Sequence, residues 1–122
     1  MKRLSGFLIM LALSLSIQAQ SISYIETTKG WYYIYDQSGM RIKTISSSLG
    51  ELAGYSSNFY IIKLISVFYV TYDAAGKHLH TFSTNSVGEI LNATGDTFTS
   101  RNGLWIYTWS KDGKKISTRS AR

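Results

Sequence analysis

The sequence predicts an all-β protein whose short antiparallel strands repeat about every 37 residues. The segment from Trp31 to Thr44, WYYIYDQSGMRIKT, returns from Phe68 as FYVTYDAAGKHLHT and from Trp105 as WIYTWSKDGKKIST. No segment shows an extended apolar period of 3.6 residues, so we expect little helix. Proline is absent, and glycine marks most of the turns between the strands.

The first 19 residues have the layout of a secretory signal peptide. A basic start, Met1 to Arg3, precedes a mostly apolar run from Leu4 to Ile17, and Ala19 is the expected last residue before cleavage. The apolar run is too short to cross a bilayer, which needs ~20 residues. The alternative, a buried N-terminal helix, has no helical partner elsewhere in the sequence. We therefore expect no transmembrane segment after cleavage.

The expected location is the periplasm or the exterior of a bacterium. The Ala19-Gln20 ending resembles signal peptides of exported proteins from Bacteroides-type Gram-negative bacteria. The chain has no cysteine, so it cannot be a lipoprotein anchored through an N-terminal cysteine, and its stability must come from packing rather than disulfides. Residues 20–122 form a single predicted domain, with repeat cores at 30–66, 67–103 and, incomplete, 104–122.

The charge of the expected mature chain is mildly basic. The full sequence carries a formal net charge of +6, and removal of Lys2 and Arg3 leaves eleven basic against seven acidic residues, a net charge of +4. Most of the excess lies at the C-terminus. A basic patch can attract nucleic acid, anionic lipid or acidic glycan. The commoner explanation is an edge strand kept soluble and unpaired by its charges, and export further disfavours nucleic acid.

The strands follow from alternation of polar and apolar residues. Residues 21–27, SISYIET, predict a first short strand. In the next strand, Trp31, Tyr33 and Tyr35 point to one side while Tyr32 and Ile34 point to the other, because side chains alternate with period two. The core is expected to contain the recurring aromatic residues, which are Trp31, Tyr35, Tyr72, Trp105 and Trp109.

Each aromatic strand ends in a turn of the pattern D-x-x-G. Asp36 and Asp73 begin the first two turns, and Ser110 replaces the aspartate in the third. A short acceptor side chain can bind backbone N–H groups two residues on, and the closing glycine tolerates positive φ. This turn chemistry explains the repeated aspartates better than a catalytic pair or calcium ligands would.

The return strand is expected to be apolar on its inner side and basic on its outer side. Alternation places His78 and His80 on the same outer side, about 7 Å apart by the strand rise. Such a pair could bind a metal or act as a pH switch. Cations at three of the four equivalent positions in the other copies, Arg41, Lys43 and Lys115, favour an exposed basic position instead.

The second half of each unit supplies two more strands. Gly50-Glu51-Leu52 matches Gly88-Glu89-Ile90, and each segment leads into a further hairpin. The units therefore tile as four short antiparallel strands, which is the size of a propeller blade.

The aromatic strand, the D-x-x-G turn and the basic return strand together resemble bladed β-repeat proteins. They are also similar to the tryptophan-glycine type repeats of many exported bacterial proteins. The resemblance implies a fold of propeller-blade-like sheets and transfers no functional residue. Since the chain holds about two and a half units, the strands either close into a small barrel, stack as two or three sheets, or form a ring from several chains. An open stack would leave aromatic strand faces exposed to water, and unprotected ends tend to associate.

The expected function is that of a non-catalytic binding module for a glycan or an envelope protein, with no cofactor and no metal. Aromatic residues favour such surfaces. The candidate ligand-binding residues lie outside the recurring aromatic core, and most of these candidates differ between the copies of the repeat. They are Tyr32, Tyr55, Tyr69, His78 and His80.

Two other functions remain open. A self-assembling homo-oligomer of the cell envelope would need the basic C-terminal run, which a folded monomeric binder would not. A hydrolase would need a nucleophile with a base or two carboxylates in different roles. Glu51 and Glu89 occupy equivalent repeat positions, which favours a shared structural task, so the chain is predicted not to be an enzyme.

Overall fold

The computed structural model describes residues 21–122, so the predicted signal peptide, residues 1–19, lies outside the described residues. The strands are β1 (Ile22–Thr28), β2 (Trp31–Asp36), β3 (Arg41–Ser46), β4 (Glu51–Tyr55), β5 (Phe59–Leu64), β6 (Phe68–Asp73), β7 (His78–Ser83), β8 (Glu89–Thr94), β9 (Thr97–Asn102), β10 (Trp105–Ser110) and β11 (Lys115–Ser120). A 3₁₀ turn, Ser47–Leu49, follows β3, and a single helical turn, α1 (Thr84–Val87), follows β7.

The strands form three antiparallel sheets in chain order. Sheet 1 contains β1, β2 and β3, sheet 2 contains β4 to β7, and sheet 3 contains β8 to β11. Within each sheet every strand pairs with its sequence neighbours, and no strand of residues 21–122 joins two sheets as a closed barrel would require. The prediction of an all-β antiparallel meander is confirmed, with four strands in two of the sheets and three described strands in the first.

Sheet 2 lies between the other two sheets and is apolar on both faces. Tyr60 and Ile62 belong to the core shared with sheet 1. Phe59 and Ile61 belong to the core shared with sheet 3. The continuous apolar start of β5 follows from this position, because a strand buried on both faces has no solvent-facing side to mark with polar residues.

The turns after β2, β6 and β10 work as the sequence predicts. The Asp36 carboxylate accepts hydrogen bonds from the backbone N–H groups of Ser38 at 2.9 Å and Met40 at 3.0 Å. Asp73 does the same for the groups two and four residues on. In the third turn the Ser110 hydroxyl accepts the equivalent hydrogen bonds from the backbone N–H groups two and four residues on. The interpretation of the repeated aspartates as turn-formers is therefore confirmed.

The return strands differ from the prediction, because each carries a β-bulge. Thr71 pairs with His80 and the next residue, Tyr72, pairs with His78, so Leu79 is an additional residue in β7. An extra residue moves the side chains that follow it to the other face. His78 and His80 therefore point to opposite faces of sheet 2, and the prediction that they share a side is wrong. The same bulge occurs in β3 and β11.

The predicted aromatic core is also corrected. Trp109 is buried, but Trp31 and Trp105 are 46% and 49% exposed, and Tyr35 and Tyr72 are half-buried. Both exposed tryptophans occupy the first position of their strand, next to a hairpin turn. In sheet 1 the buried side of β2 is the side opposite Trp31.

Candidate functional site: the aromatic face of the first sheet

The face of sheet 1 that points away from sheet 2 is a regular grid of side chains. Cross-strand partners point to the same face of a sheet, and the register pairs Tyr24 with Tyr35, and Glu26 with Tyr33. β3 adds the partners on the other edge. We call this surface the aromatic face, and it comprises Tyr24, Glu26, Thr28, Trp31, Tyr33, Tyr35, Arg41, Thr44 and Ser46.

The rings of the aromatic face are open to solvent to different degrees. Tyr24 is 54% exposed and Trp31 46% exposed, while Tyr33 and Tyr35 are half-buried. The opposite face of the same strands carries Ile34, which is fully buried against sheet 2. Sheet 1 is thus apolar on its inner side and aromatic on its outer side.

The equivalent faces of the other sheets are covered. In sheet 2, Tyr60 and Tyr72 occupy the positions of Tyr24 and Tyr35, with ring centroids 5.2 Å apart, and sheet 1 packs on them. In sheet 3, the corresponding Trp109 packs against Phe82 of sheet 2. The aromatic face is therefore the same repeat surface without a covering sheet among residues 21–122.

Charged groups lie between the rings. The Tyr35 hydroxyl donates a hydrogen bond of 3.0 Å to the Glu26 carboxylate, and this hydrogen bond is the main reason that the pKa of Tyr35 is raised. The Arg41 guanidinium lies 4.2 Å from the centroid of the Tyr33 ring, a cation–π contact. The face thus combines ring surfaces with one anionic and one cationic hydrogen-bonding group.

Two of the five candidate residues from the sequence lie in the core. The buried Tyr32 donates a hydrogen bond of 2.7 Å to the carbonyl of Gly50 and accepts one from the N–H of Leu52. The buried Tyr69 donates a hydrogen bond of 2.8 Å to the carbonyl of Gly88. Each tyrosine therefore ties its own sheet to the first strand of the next one.

The other three candidates do not come together. Tyr55 packs against the core between sheets 1 and 2. The exposed His78 lies with its Nε2 2.9 Å from the Thr81 hydroxyl. His80 meets the Phe82 ring edge-on at 4.6 Å, on the side of sheet 3. The five residues are thus divided between two sheet interfaces and, in the case of His78, the solvent-exposed surface, and they form no common surface.

The repeated glutamates meet at a shallow cavity between sheets 2 and 3. Glu51 and Glu89 line this cavity of about 190 Å³ together with Lys63 and Tyr69. Burial, and after it the two carboxylates, raise the pKa of Tyr69. Among residues 21–122 no group of three or more histidine, aspartate or glutamate side chains is arranged to hold a metal ion.

The comparison with protein-family models gives no match, and neither does the comparison with curated proteins. In the described part of the chain, no helix has the length and apolar character needed to cross a membrane.

Sequence reasoning missed the aromatic face as a site, although it placed Trp31, Tyr33 and Tyr35 on one side of their strand. The recurrence of aromatic residues at these positions favoured a core assignment. The informative feature was the position of this copy as the first repeat of residues 21–122, because within that part of the chain the first sheet of the stack has a neighbour on one side only.

Proposed function

We propose that the protein is an exported, non-catalytic binding module that takes an extended glycan on the aromatic face of sheet 1. The observation that carries the proposal is the exposure of Tyr24 and Trp31 on a regular sheet surface. Exposed large apolar groups gathered on one face of a small protein mark interaction sites more often than single ones do.

The chemistry of the face fits a carbohydrate. A pyranose ring offers C–H groups on its flat faces and hydroxyl groups at its rim. Aromatic rings can stack on the former, while Glu26 can accept and Arg41 can donate hydrogen bonds to the latter. Strands of one sheet stand ≈ 4.7–4.9 Å apart, and side chains on one face repeat every second residue. The rings therefore follow each other at a spacing that suits successive units of a chain rather than one small molecule, which usually needs a concave pocket.

The test compares two tryptophans at equivalent repeat positions. Binding of residues 20–122 to soluble polysaccharides is measured by isothermal titration calorimetry after a glycan-array screen. Trp31→Ala should weaken binding about tenfold or more, because removing a large aromatic side chain that contacts the ligand typically costs ~2 kcal/mol. Trp105→Ala, which removes a tryptophan of similar exposure outside the aromatic face, should leave the affinity unchanged. Equal losses in both variants, or no glycan binding at all, would contradict the proposal.

Self-assembly through the same face is the second candidate. It is favoured by the finding that the equivalent faces of sheets 2 and 3 each pack against a neighbouring sheet. Light scattering behind a sizing column would show a defined oligomer that Trp31→Ala reduces to a monomer. A wild-type monomer would argue against assembly and would leave the aromatic face available to a glycan.

A further inference from the structure

A second apolar surface lies at one end of the stack, on the hairpin tips of sheets 2 and 3. The β5–β6 tip exposes Ile65, Val67 and Phe68, and the β9–β10 tip exposes Leu104 and Trp105. We call these five residues the tip surface. Ile65 is 77% exposed and Leu104 66% exposed. Both tips occupy equivalent places in adjacent sheets, so they project from the same end of the molecule.

The tip of sheet 2 is longer than its counterparts. Three residues separate the paired Leu64 and Phe68. Two residues separate Thr28 from Trp31 in sheet 1, and two separate Asn102 from Trp105 in sheet 3. The insertion thus lengthens a solvent-exposed loop, and two of its three residues are apolar.

Ile65 is unfavourable in this tip because its apolar side chain is exposed and because its backbone is left-handed. It has φ of 45° and Ser66 has φ of 64°, and the N–H of Val67 bonds to the carbonyl of Leu64 at 3.1 Å. Positive φ at both central residues is typical of type I′ turns, which prefer Asn-Gly, and it is strained for a β-branched side chain. The carbonyl of Ser66 accepts a hydrogen bond from the Thr84 hydroxyl, which holds the tip in place. Neither folding nor solvation therefore explains an isoleucine here.

Basic residues surround the tips. Lys63 precedes the first tip, and the Arg101 guanidinium donates a hydrogen bond to the carbonyl of Gly103 within the second tip. The N–H of Ala121 bonds to the carbonyl of Leu104, which brings Arg122 to the same end. Lys29 lies in the corresponding hairpin of sheet 1.

Two carboxylates at this end lie opposite two of the cations without forming an ion pair with them in the described residues. Glu51 and Glu89 are the cross-strand partners of Lys63 and Arg101. The ion pairs found among residues 21–122 are instead those of Lys111 with Asp96 and Asp112, beyond the opposite end of the strands. Lys63 lies in the cavity that Glu51 and Glu89 line. Lys29, Arg101 and Arg122 are exposed and can meet an external anion.

We propose that the tip surface docks on an anionic lipid bilayer, a role that does not depend on glycan binding by the aromatic face. The tips are convex and apolar, which suits insertion into a deformable acyl layer. Trp105, one residue behind the apex, occupies the level at which tryptophan favours the membrane–water interface. Lys29, Arg101 and Arg122 are then placed to meet lipid phosphates, and cations near an anionic surface each add to the attraction.

The experiment measures co-sedimentation of residues 20–122 with vesicles. One set of vesicles contains equal parts of phosphatidylglycerol and phosphatidylethanolamine, and the other contains phosphatidylcholine alone. We expect binding to the anionic vesicles and clearly weaker binding to phosphatidylcholine. Ile65→Asn and Leu104→Asn should each reduce the partition coefficient about tenfold, because each removes a large apolar side chain from the lipid. The matched control is Met40→Asn, since Met40 is 67% exposed in a turn at the opposite end of sheet 1.

The Ile65→Asn variant distinguishes a loss of docking from misfolding. Asparagine tolerates the left-handed conformation, so Ile65→Asn should raise the melting temperature while it lowers lipid binding. Several results would overturn the proposal: no sedimentation with either vesicle, equal binding to both vesicles, or an equal loss in the Met40 control. A lipid-free oligomer that Ile65→Asn dissolves would also overturn it, because the tips would then be an interface between copies.

Discussion

The hydroxyl of Tyr69 donates a hydrogen bond of 2.8 Å to the carbonyl of Gly88, at the point where the chain leaves sheet 2 and enters sheet 3. Tyr32 makes the same bond to Gly50 between sheets 1 and 2. The two tyrosines are equivalent repeat residues, and so are the two glycines. This contact is therefore the repeated link that fixes each sheet to the next.

The first prediction concerns this link. Tyr69→Phe removes the donor and leaves the partly buried carbonyl of Gly88 unsatisfied, so it should lower the free energy of unfolding by about 1–2 kcal/mol. Urea denaturation followed by circular dichroism measures the change. Tyr24→Phe, which alters an exposed tyrosine of the aromatic face, serves as the control and should have no effect on stability. Equal stability of the two variants would show that the link carries no energy.

The second prediction concerns the backbone approach at Gly88. This residue has φ of 82°, and a Cβ built on it would overlap the carbonyl oxygen of Arg101. Gly88→Ala should therefore cost about 3 kcal/mol or more, since the strain of left-handed backbone adds to a clash with a neighbouring strand. Gly95 has φ of 57° with nothing within 4 Å of its Cβ position. Gly95→Ala should cost only about 1 kcal/mol, from backbone strain alone.

Thermal melts of both glycine variants measure this difference. A similar loss in the two would mean that the main chain of β9 can move away from Gly88, and that the close approach is not a constraint.

The turns of this fold follow from the sequence, whereas the bulges of the return strands do not. The turns were predictable, because Asp36, Asp73 and Ser110 act on backbone groups within four residues of themselves. The bulge at Leu79 was not, because an extra residue in one strand becomes visible only when the partner strand fixes the register. The assignment of both histidines to one face failed for this reason.

The candidate site was partly predictable. Alternation correctly grouped Trp31, Tyr33 and Tyr35 on one side of β2, and that side is the aromatic face. Whether such a side is covered depends on the number and order of the sheets, which is a property of the whole stack. The sequence pattern of Tyr24 and Tyr35 is similar to that of Tyr60 and Tyr72, yet within residues 21–122 only the second pair lies under another sheet.

The third prediction is a pH dependence at the first turn. The Ser38 hydroxyl and the backbone N–H of Met40 donate hydrogen bonds to the Asp36 carboxylate and lower its pKa in the folded state. A carboxyl group whose pKa is lower when folded contributes stability that is fully present above its unfolded pKa of about 3.9 and is lost as the pH falls through the folded value. Asp36→Asn should therefore be less stable than the wild type near neutral pH, and the difference should shrink on acidification.

The third turn supplies the control for this titration. Ser110 makes the equivalent hydrogen bonds with a hydroxyl that does not ionise in this range. Ser110→Ala should consequently lower the melting temperature by the same amount at neutral and acidic pH. A pH-independent loss in Asp36→Asn as well would show that ionisation of the carboxylate does not matter to this turn.

The fourth prediction concerns the buried pair at the centre of sheet 3. The indole N–H of Trp109 donates a hydrogen bond of 2.9 Å to the Ser100 hydroxyl, and both side chains are buried. In sheet 2 the positions equivalent to Ser100 and Trp109 are held by Ile62 and Tyr72, so no indole N–H needs an acceptor there. The serine is thus explained by the indole, because a buried donor without an acceptor costs about 1–3 kcal/mol.

A double-mutant cycle tests this explanation. Ser100→Ala should lower the free energy of unfolding by about 1–3 kcal/mol, because it leaves the indole N–H unpaired. In a Trp109→Phe background the same change should cost much less, since phenylalanine has no donor to satisfy. A coupling energy near zero in urea denaturation would mean that the small volume of Ser100, and not its hydroxyl, suits this buried position.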